Sequence, residues 1–358
     1  MKFKPNWPET QARLTALWEG QPTDRPCIAV KVNKPDKPRQ WPPPSAEVQW
    51  LDPEWVVGDA LAKIENTWWG GEAIPSYLVM AGWLVSLGGK PRFDNSTIWF
   101  DEFSVDFDQP HPFHHNPADP WVQRHERLYL AMAKAAGKDD FLLGSPVILP
   151  ANDLLSMHMG TQNFLFALMD HSDWIRQAIT DGARELIAAR QNLVQRIKAQ
   201  HDFWYGNAGW MPFWAPVPFI ELQADVSCML SPEHFEQFVI PELDMWGQAC
   251  GAMWYHLDGG DASHHLPRLL SLPYLKVIQY VPHPSEPPNG IGHLALYRKI
   301  QEAGRIVHIF VSKDQVKPLC RALDPRRLML EVSDVATIAE AEDLLVAAKR
   351  WTAARHHP

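Results

Sequence analysis

From residue 203 to the carboxyl end the chain alternates short apolar runs with amphipathic ones, and that rhythm leaves few folds open. FWYGNAGWMPFW reads as a strand and SPEHFEQFVIPELDMWGQACG as a helix, with Ser231 placed to cap it and Pro232 at its first position. AMWYHLDG, LKVIQYVP, RIVHIFVS and RRLMLEV continue as strands, separated by the helical ASHHLPRLLSL, GHLALYRKIQEAG and KDQVKPLCRAL and followed by ATIAEAEDLLVAAKRW. Runs this short and this apolar suit strands buried on both faces, as parallel strands covered by crossover helices are. Strand and helix alternating with short connections imply a parallel sheet, and an unbroken series of this length predicts a closed (β/α)8 barrel of the TIM type. The expected fold is therefore α/β, a single-domain barrel across residues 1–358.

Upstream, ETQARLTALWEG reads as a helix and CIAVKV as a strand. NKPDKPRQWPPPSAEVQW has fixed φ angles and missing donors at its prolines, so it is read as an extended loop, and residues 1 to about 50 as an N-terminal extension carrying it. Helices are predicted at 53–66, 120–136, 151–169 and 172–200, the last with Ile175, Ile179, Leu186, Leu193 and Ile197 on one face. STIWFDEFSV and FLLGSPVILP are the strands expected between them.

Charge and composition exclude several function classes. A formal net charge of −9 without a clustered basic block argues against nucleic-acid binding, which needs Lys and Arg to neutralise phosphates. No apolar run reaches the length of a membrane span, and MKFKPNWPETQARL lacks the apolar core of a secretory signal, so a cytoplasmic protein is expected. Cys27, Cys228, Cys250 and Cys320 are scattered, with no disulfide or zinc-ribbon spacing; Cys228, just before a helix start, is the best placed for a role. The 17 Trp and 32 Pro fit either an aromatic-walled pocket or a Trp-rich core. His111, His114 and His115 sit in DQPHPFHHNPADP, where no regular element fixes them, and are read as solvated loop residues.

The chemistry concentrates in WYHLDGGD. Side chains at i and i+2 of a strand share a face, so Trp254, His256 and Asp258 line one side, and Gly259 and Gly260 end the strand beside them. In a barrel the site lies at the carboxyl ends of the strands, which adds Trp210, Trp214, Gln279, Tyr280, His308, Ser312, Glu331 and Asp334 to the candidates. His256 and Asp258 can act as metal ligands or as an acid/base pair, or can merely finish the strand. His264 and His265 open a helix and are read as solvent or cap residues.

QADVSCMLSPEHFEQFVIPEL, YHLDGGDASHHLPRLLSLPYLKVIQYVP and RRLMLEVSDVATIAEAEDLL, with LGSPVILPANDLLSMHMGTQNFLFALMDHSDWI more loosely, resemble the uroporphyrinogen decarboxylase superfamily, which includes that decarboxylase and the cobalamin-linked methyltransferases. The resemblance implies a (β/α)8 barrel. CIAVKVNKPDKPRQWPPP departs from the decarboxylase's arginine motif and AIPSYLVMAGW has no matching aspartate, so uroporphyrinogen is not the expected substrate. In the methyltransferases a His-x-Cys pair and a later Cys bind zinc. Here Asp258 stands where the first Cys would, and Glu331 is the nearest ligand-like residue on the last strand, so the resemblance implies a site of His256, Asp258 and Glu331 for Zn, Fe or Mn. Asp225 matches a polar position of the family block and is taken, with Trp210, Trp214, Gln279, Tyr280 and His308, as a substrate contact. The implied enzyme decarboxylates, or transfers a methyl group to or from, a small polar or aromatic molecule. The alternative is a noncatalytic barrel binding a ligand or a corrinoid protein; a dimer fits either.

Overall fold

The computed structural model describes residues 1–34, 42–79, 87–137, 140–144, 146, 149–200 and 211–354. Helix α1 (Trp7–Glu19) leads into β1 (Cys27–Asn33). Helices α2 (Ala46–Leu51) and α3 (Pro53–Glu65) precede β2 (Thr67–Gly71), and the short β3 (Ser76–Tyr77), β4 (Pro91–Phe93) and β5 (Ile98–Phe100) follow. After α4 (Pro120–Ala136) and β6 (Leu142–Leu143) come three consecutive helices, α5 (Ala151–Met159), α6 (Thr161–Asp170) and α7 (Ser172–Gln200). The remainder is β7 (Ile220–Leu222), α8 (Pro232–Phe238), α9 (Ile240–Cys250), β8 (Met253–Asp258), α10 (Leu266–Leu270), β9 (Leu275–Val281), α11 (Leu294–Glu302), β10 (Ile306–Val311), α12 (Lys313–Ala322), β11 (Leu328–Val332) and α13 (Ile338–Ala353).

Seven strands form one sheet in the order β2-β1-β11-β10-β9-β8-β7, parallel throughout except for the antiparallel edge strand β2. This mixed α/β architecture matches the expected class. The expected closed barrel is not completed by strand pairing among the described residues: β3 and β6 pair only with each other, and β4 with β5 as a separate hairpin. The strand expected over 203–214 falls mostly outside the described residues. Residues 203–210 lie outside the described residues, 211–214 are not extended in the sheet, and β7 begins only at Ile220, beyond Pro212, Pro216 and Pro218, which cannot donate to a ladder. Among the described residues of FLLGSPVILP, Leu142–Leu143 forms the paired strand, while 145, 147 and 148 lie outside them. The helix expected over 231–250 is broken into α8 and α9 next to Pro241, which lacks the N–H that a continuous helix would use; Ser231 does cap α8, accepting from His234 N–H at 3.2 Å.

Alternation along the strands divides the sheet into two faces. Tyr255, Leu257, Ile278, Tyr280, Val307, Ile309, Leu328 and Leu330 point outward into the main core with the helices. Cys27, Ala29, Trp254, Val277, Ile306 and Met329 point inward, and near the amino ends of the strands they pack on Leu14, Leu17 and Trp18 of α1 and on Phe213, Trp214 and Phe219. Helix α1 thus seals that end and leaves the inner face polar toward the carboxyl ends. The seal is pinned by Glu72, whose carboxylate takes Arg25 through two hydrogen bonds of 2.6 and 3.0 Å, Arg13 Nε at 2.8 Å and the Ile28 N–H at 2.6 Å. Among the described residues no helix is long and apolar enough to cross a membrane.

Candidate functional site

Register places His256, Gln279 and His308 side by side on β8, β9 and β10, all on the inner face. His256 is 6% exposed, and its Nδ1 is held by Gln279 Oε1, while the Gln279 amide nitrogen donates to the Tyr280 carbonyl at 3.2 Å. An amide oxygen only accepts, so Nδ1 carries the proton and, in the neutral ring, Nε2 carries the lone pair. Burial pushes the imidazole pKa below its ordinary value, against the opposing pull of Gln279 and Asp258, so this ring is neutral at physiological pH.

Two residues on, Asp258 ends β8. Gly259 takes φ +74°, which turns the chain away and leaves the Asp258 carboxylate at the sheet edge. The third member is Asp225, at the start of a 3-10 turn over Asp225–Met229 that follows β7. One ligand atom from each of Asp225, His256 and Asp258 lies within 4.8 Å of the others. Asp153 in the first turn of α5 holds that turn in place, accepting from the backbone N–H groups of Asp225 and Val226, both at 3.2 Å. Gln223 Nε2 donates to Asp225 Oδ2 at 2.7 Å, and His265 Nε2 donates to the Ser227 carbonyl at 2.9 Å. Burial, then the charges of Asp153 and Asp258, push the Asp225 carboxyl up to about 8. Burial likewise raises Asp153 to about 6, against its backbone and Gln223 hydrogen bonds.

These groups line a cavity of about 590 Å³. The lining combines the acids Asp153, Glu221, Asp225 and Asp258 around His256 with the apolar Ile98, Trp99, Leu149, Met157 and Met229. Trp99, on the β4–β5 hairpin, is 48% exposed and is oriented by its indole N–H donating to Asp94 at 2.7 Å. The donor set suits a divalent cation. It combines one neutral imidazole with two carboxylates, a mixture that Mn, Fe and Zn all accept, and no Lys or Arg among the described residues lines the cavity to balance the acids.

The fold is similar to that of a methyltransferase from Methanosarcina mazei. The two align over 95% of this chain and 98% of that one at a TM-score of 0.57, with 15% sequence identity, so the likeness is one of fold. No protein-family model and no curated protein sequence matches the chain.

The other expected site residues are distributed differently. Trp210 lies outside the described residues. Trp214 is packed edge-on to Trp7 at 5.7 Å in the sealed end, away from the cavity, and Trp99 is the tryptophan among the described residues that lines it. Tyr280 faces outward into the helix layer, its hydroxyl against Glu286 at 3.2 Å; its neighbour Gln279 has the inner face and supports His256. His308 is wholly buried, with Nδ1 accepting from the Trp254 indole at 3.2 Å and Nε2 3.7 Å from Glu331. Glu331, expected as the third ligand, stands three strands from β8 with its Oε1 3.7 Å from His308 Nε2; the third residue grouped with His256 and Asp258 is Asp225. Asp334 accepts from the Lys313 N–H at 2.7 Å, and the Ser312 hydroxyl donates to Asp314, so both serve the start of α12.

His111, expected to be solvated, is buried and pairs with Asp181 of α7 at 3.1 Å; His114 is exposed as expected and meets Glu185 of α7 at 2.9 Å, so both tie their loop to that helix. His265 is buried and holds the Asp225 turn, where a solvent or cap residue was expected. Burial raises the Cys228 thiol, which makes it a poor nucleophile at neutral pH. Asp153 and Glu221 were missing from the expected set. The signal for Asp153 is faint, a carboxylate one turn into PANDLL, 72 residues from the N–H it receives.

Proposed function

We propose that the chain is a metal-assisted enzyme of the uroporphyrinogen decarboxylase type that moves a methyl group to or from a small molecule held in the cavity, with a corrinoid protein as the other partner in the transfer. The observation that carries this reading is the meeting of Asp225, His256 and Asp258 at one point of the cavity wall, at the carboxyl edge of parallel strands. The open sheet is read as most of a (β/α)8 barrel, with β3 and β6 as further staves, in accord with the fold it shares with the methyltransferase.

In this reading Asp225, His256 and Asp258 bind a divalent ion, Zn, Fe or Mn. When bound, that ion supplies Lewis acidity that lowers the pKa of a thiol, hydroxyl or water beside it. Gln279 keeps His256 in the Nε2 lone-pair form that ligation requires. Asp153 fixes the backbone that presents Asp225. The apolar side chains of Trp99, Met157 and Met229 take the non-reacting part of the substrate. Uroporphyrinogen fits poorly, because its many carboxylates would face the lining acids without an arginine among the described lining residues.

One observation favours a second reading. Asp225 lies within 4.8 Å of His256 and Asp258, and desolvation with the charges of Asp153 and Asp258 raises its carboxyl, so in the ion-free protein it can hold a proton and serve as a general acid beside His256. In a decarboxylation the bond to the carboxylate breaks, CO2 leaves, and the electron pair left on carbon takes the Asp225 proton. The two readings part in one assay: methyl transfer from methylcobalamin to a panel of thiols and phenols, in EDTA and with Mn(II), Fe(II) or Zn(II) restored. Metal-dependent transfer that disappears in Asp258→Asn supports the first reading. Metal-independent CO2 release from an organic acid, with no methyl transfer, replaces it with the second.

A further inference from the structure

Glu242, in α9, is one of the most deeply buried acids among the described residues, and its hydrogen-bond partners lie outside the cavity lining. It is 1% exposed, and both carboxylate oxygens are occupied by the amino end of α5: Oε1 accepts from the Ala151 N–H at 2.5 Å, and Oε2 from the Asn152 N–H at 3.0 Å and the Asn152 side-chain amide at 2.8 Å. The Trp246 indole adds a weaker contact to Oε1 at 3.4 Å. A carboxylate at this place satisfies N–H groups that a helix leaves without internal partners and interacts well with the positive end of its dipole. It comes from a helix 90 residues along the chain, where a local N-cap would normally serve; Pro150, at the cap position, offers no side-chain acceptor.

The next residue of that first turn is Asp153, 5% exposed, which grips the N–H groups of Asp225 and Val226. Two carboxylates thus act in series. Glu242 fixes the first turn of α5, and the first turn of α5 fixes the turn that carries Asp225.

We propose that Glu242 and Asp153 are positioning residues that set the Asp225 carboxylate against His256 and Asp258 through the amino end of α5. The geometry explains why an acid is kept in a buried place with no Lys or Arg among its hydrogen-bond partners: an amide there would turn one N–H donor toward the helix N–H groups and leave them unsatisfied. It also gives the SPEHFEQFVIPEL block a link to the cavity, because Glu242 is the acidic residue of its final PEL.

The inference rests on the reading of Asp225 as an ion ligand, and its test separates the two. Mn(II) and Zn(II) binding is measured by titration calorimetry for the wild type, for Glu242→Gln and for a stability control in a distant core position, Leu319→Ala in α12. Glu242→Gln is expected to lose about tenfold or more in ion affinity, the size of effect known for groups that orient metal ligands, while Leu319→Ala melts lower and keeps its affinity. Equal affinities in Glu242→Gln and wild type, or the same loss in Leu319→Ala, overturn the proposal.

Amide hydrogen exchange in ion-free protein gives the independent arm. Glu242→Gln should speed exchange at Asp225 and Val226 relative to β11, and unchanged exchange there overturns the proposal whether or not an ion binds. If Glu242→Gln does not fold, wild-type exchange decides: on adding Mn(II) the amides of Ala151, Asn152, Asp225 and Val226 slow together. Slowing at Asp225 and Val226 alone contradicts it. A wild type that binds neither ion sinks the ligand reading and leaves the exchange comparison to judge the positioning.

Discussion

Glu72 and Glu242 are equally buried, about 1% exposed each, and both accept backbone N–H groups, yet they sit in opposite electrostatic settings. At the sealed end, burial alone would raise Glu72, but the Arg25 and Arg13 guanidiniums and the Ile28 N–H outweigh it and hold the carboxyl below its ordinary value. Near the cavity, burial raises Glu242 to about 7, with the charge of Asp153 adding to it and the Ala151, Asn152 and Trp246 hydrogen bonds opposing. Burial is common to the two, so the sign of the neighbours decides. One end of the sheet has its charges paired within the chain and behaves as scaffold. The other gathers acids that the chain does not balance among its described residues, which is what a site reserved for a cation would do.

The largest break in this comparison comes from Glu72→Ala, which leaves the buried Arg25 and the partly buried Arg13 without their shared carboxylate. A loss of about 3–5 kcal/mol in chemical denaturation is expected. A loss under about 1 kcal/mol would show that the sealed end is not held by its charges.

Next in size is the effect of Asp225→Asn on ion binding. Removal of a ligand should cost at least the roughly 100-fold that loss of an orienting group can cost, while the melting temperature holds or rises as the crowding of acids is relieved. Unchanged Mn(II) affinity would remove Asp225 from the ligand set.

The pH dependence sharpens the contrast, because the two glutamates have opposite signs. Glu72 has a lowered folded pKa, so its stabilisation is present above the ordinary 4.5 and is lost as pH falls below it. Glu242 has a raised folded pKa, so the folded state binds the extra proton between 4.5 and about 7, and stability falls as pH rises through that window. Denaturation midpoints in EDTA across pH 4 to 8 should therefore decline less steeply toward the alkaline side in Glu242→Gln, the part due to Asp153 and Asp225 remaining, and keep the acid-side loss. An alkaline-side decline as steep as in the wild type would assign it to those two groups.

The smallest effect is expected from Gln279→Ala. It frees the His256 ring to change tautomer without removing a ligand, and about a tenfold loss of ion affinity should follow at nearly constant melting temperature. Affinity equal to wild type would mean that Gln279 does not orient the ring.

The carboxyl-terminal half was legible in the sequence because its buried strands are short apolar runs bounded by Gly or Pro, and β8, β9, β10 and β11 fall where those runs are. The part before residue 220 was less so. Pro212, Pro216 and Pro218 keep the segment just before β7 out of the sheet, and the hairpin of β4 and β5 pairs apart from the main sheet, which no periodicity reveals. Within the site, His256 and Asp258 were legible through their i, i+2 spacing. Tyr280 and Gln279 show the limit of that argument, since adjacent strand residues face opposite ways and only one of them can look inward. Asp225 was visible as a polar residue but not as the partner of His256, and Asp153 and Glu242 act across 72 and 90 residues. Such long-range carboxylate contacts leave no local pattern.

The most direct test of the central claim is the metal content of freshly purified wild-type protein beside His256→Ala, by elemental analysis and by Mn(II) titration after chelation. The account predicts close to one divalent ion per chain in the wild type and little in the variant, with both proteins folded. A wild type that neither carries nor takes up an ion, or a variant that binds it as tightly as the wild type, would contradict it.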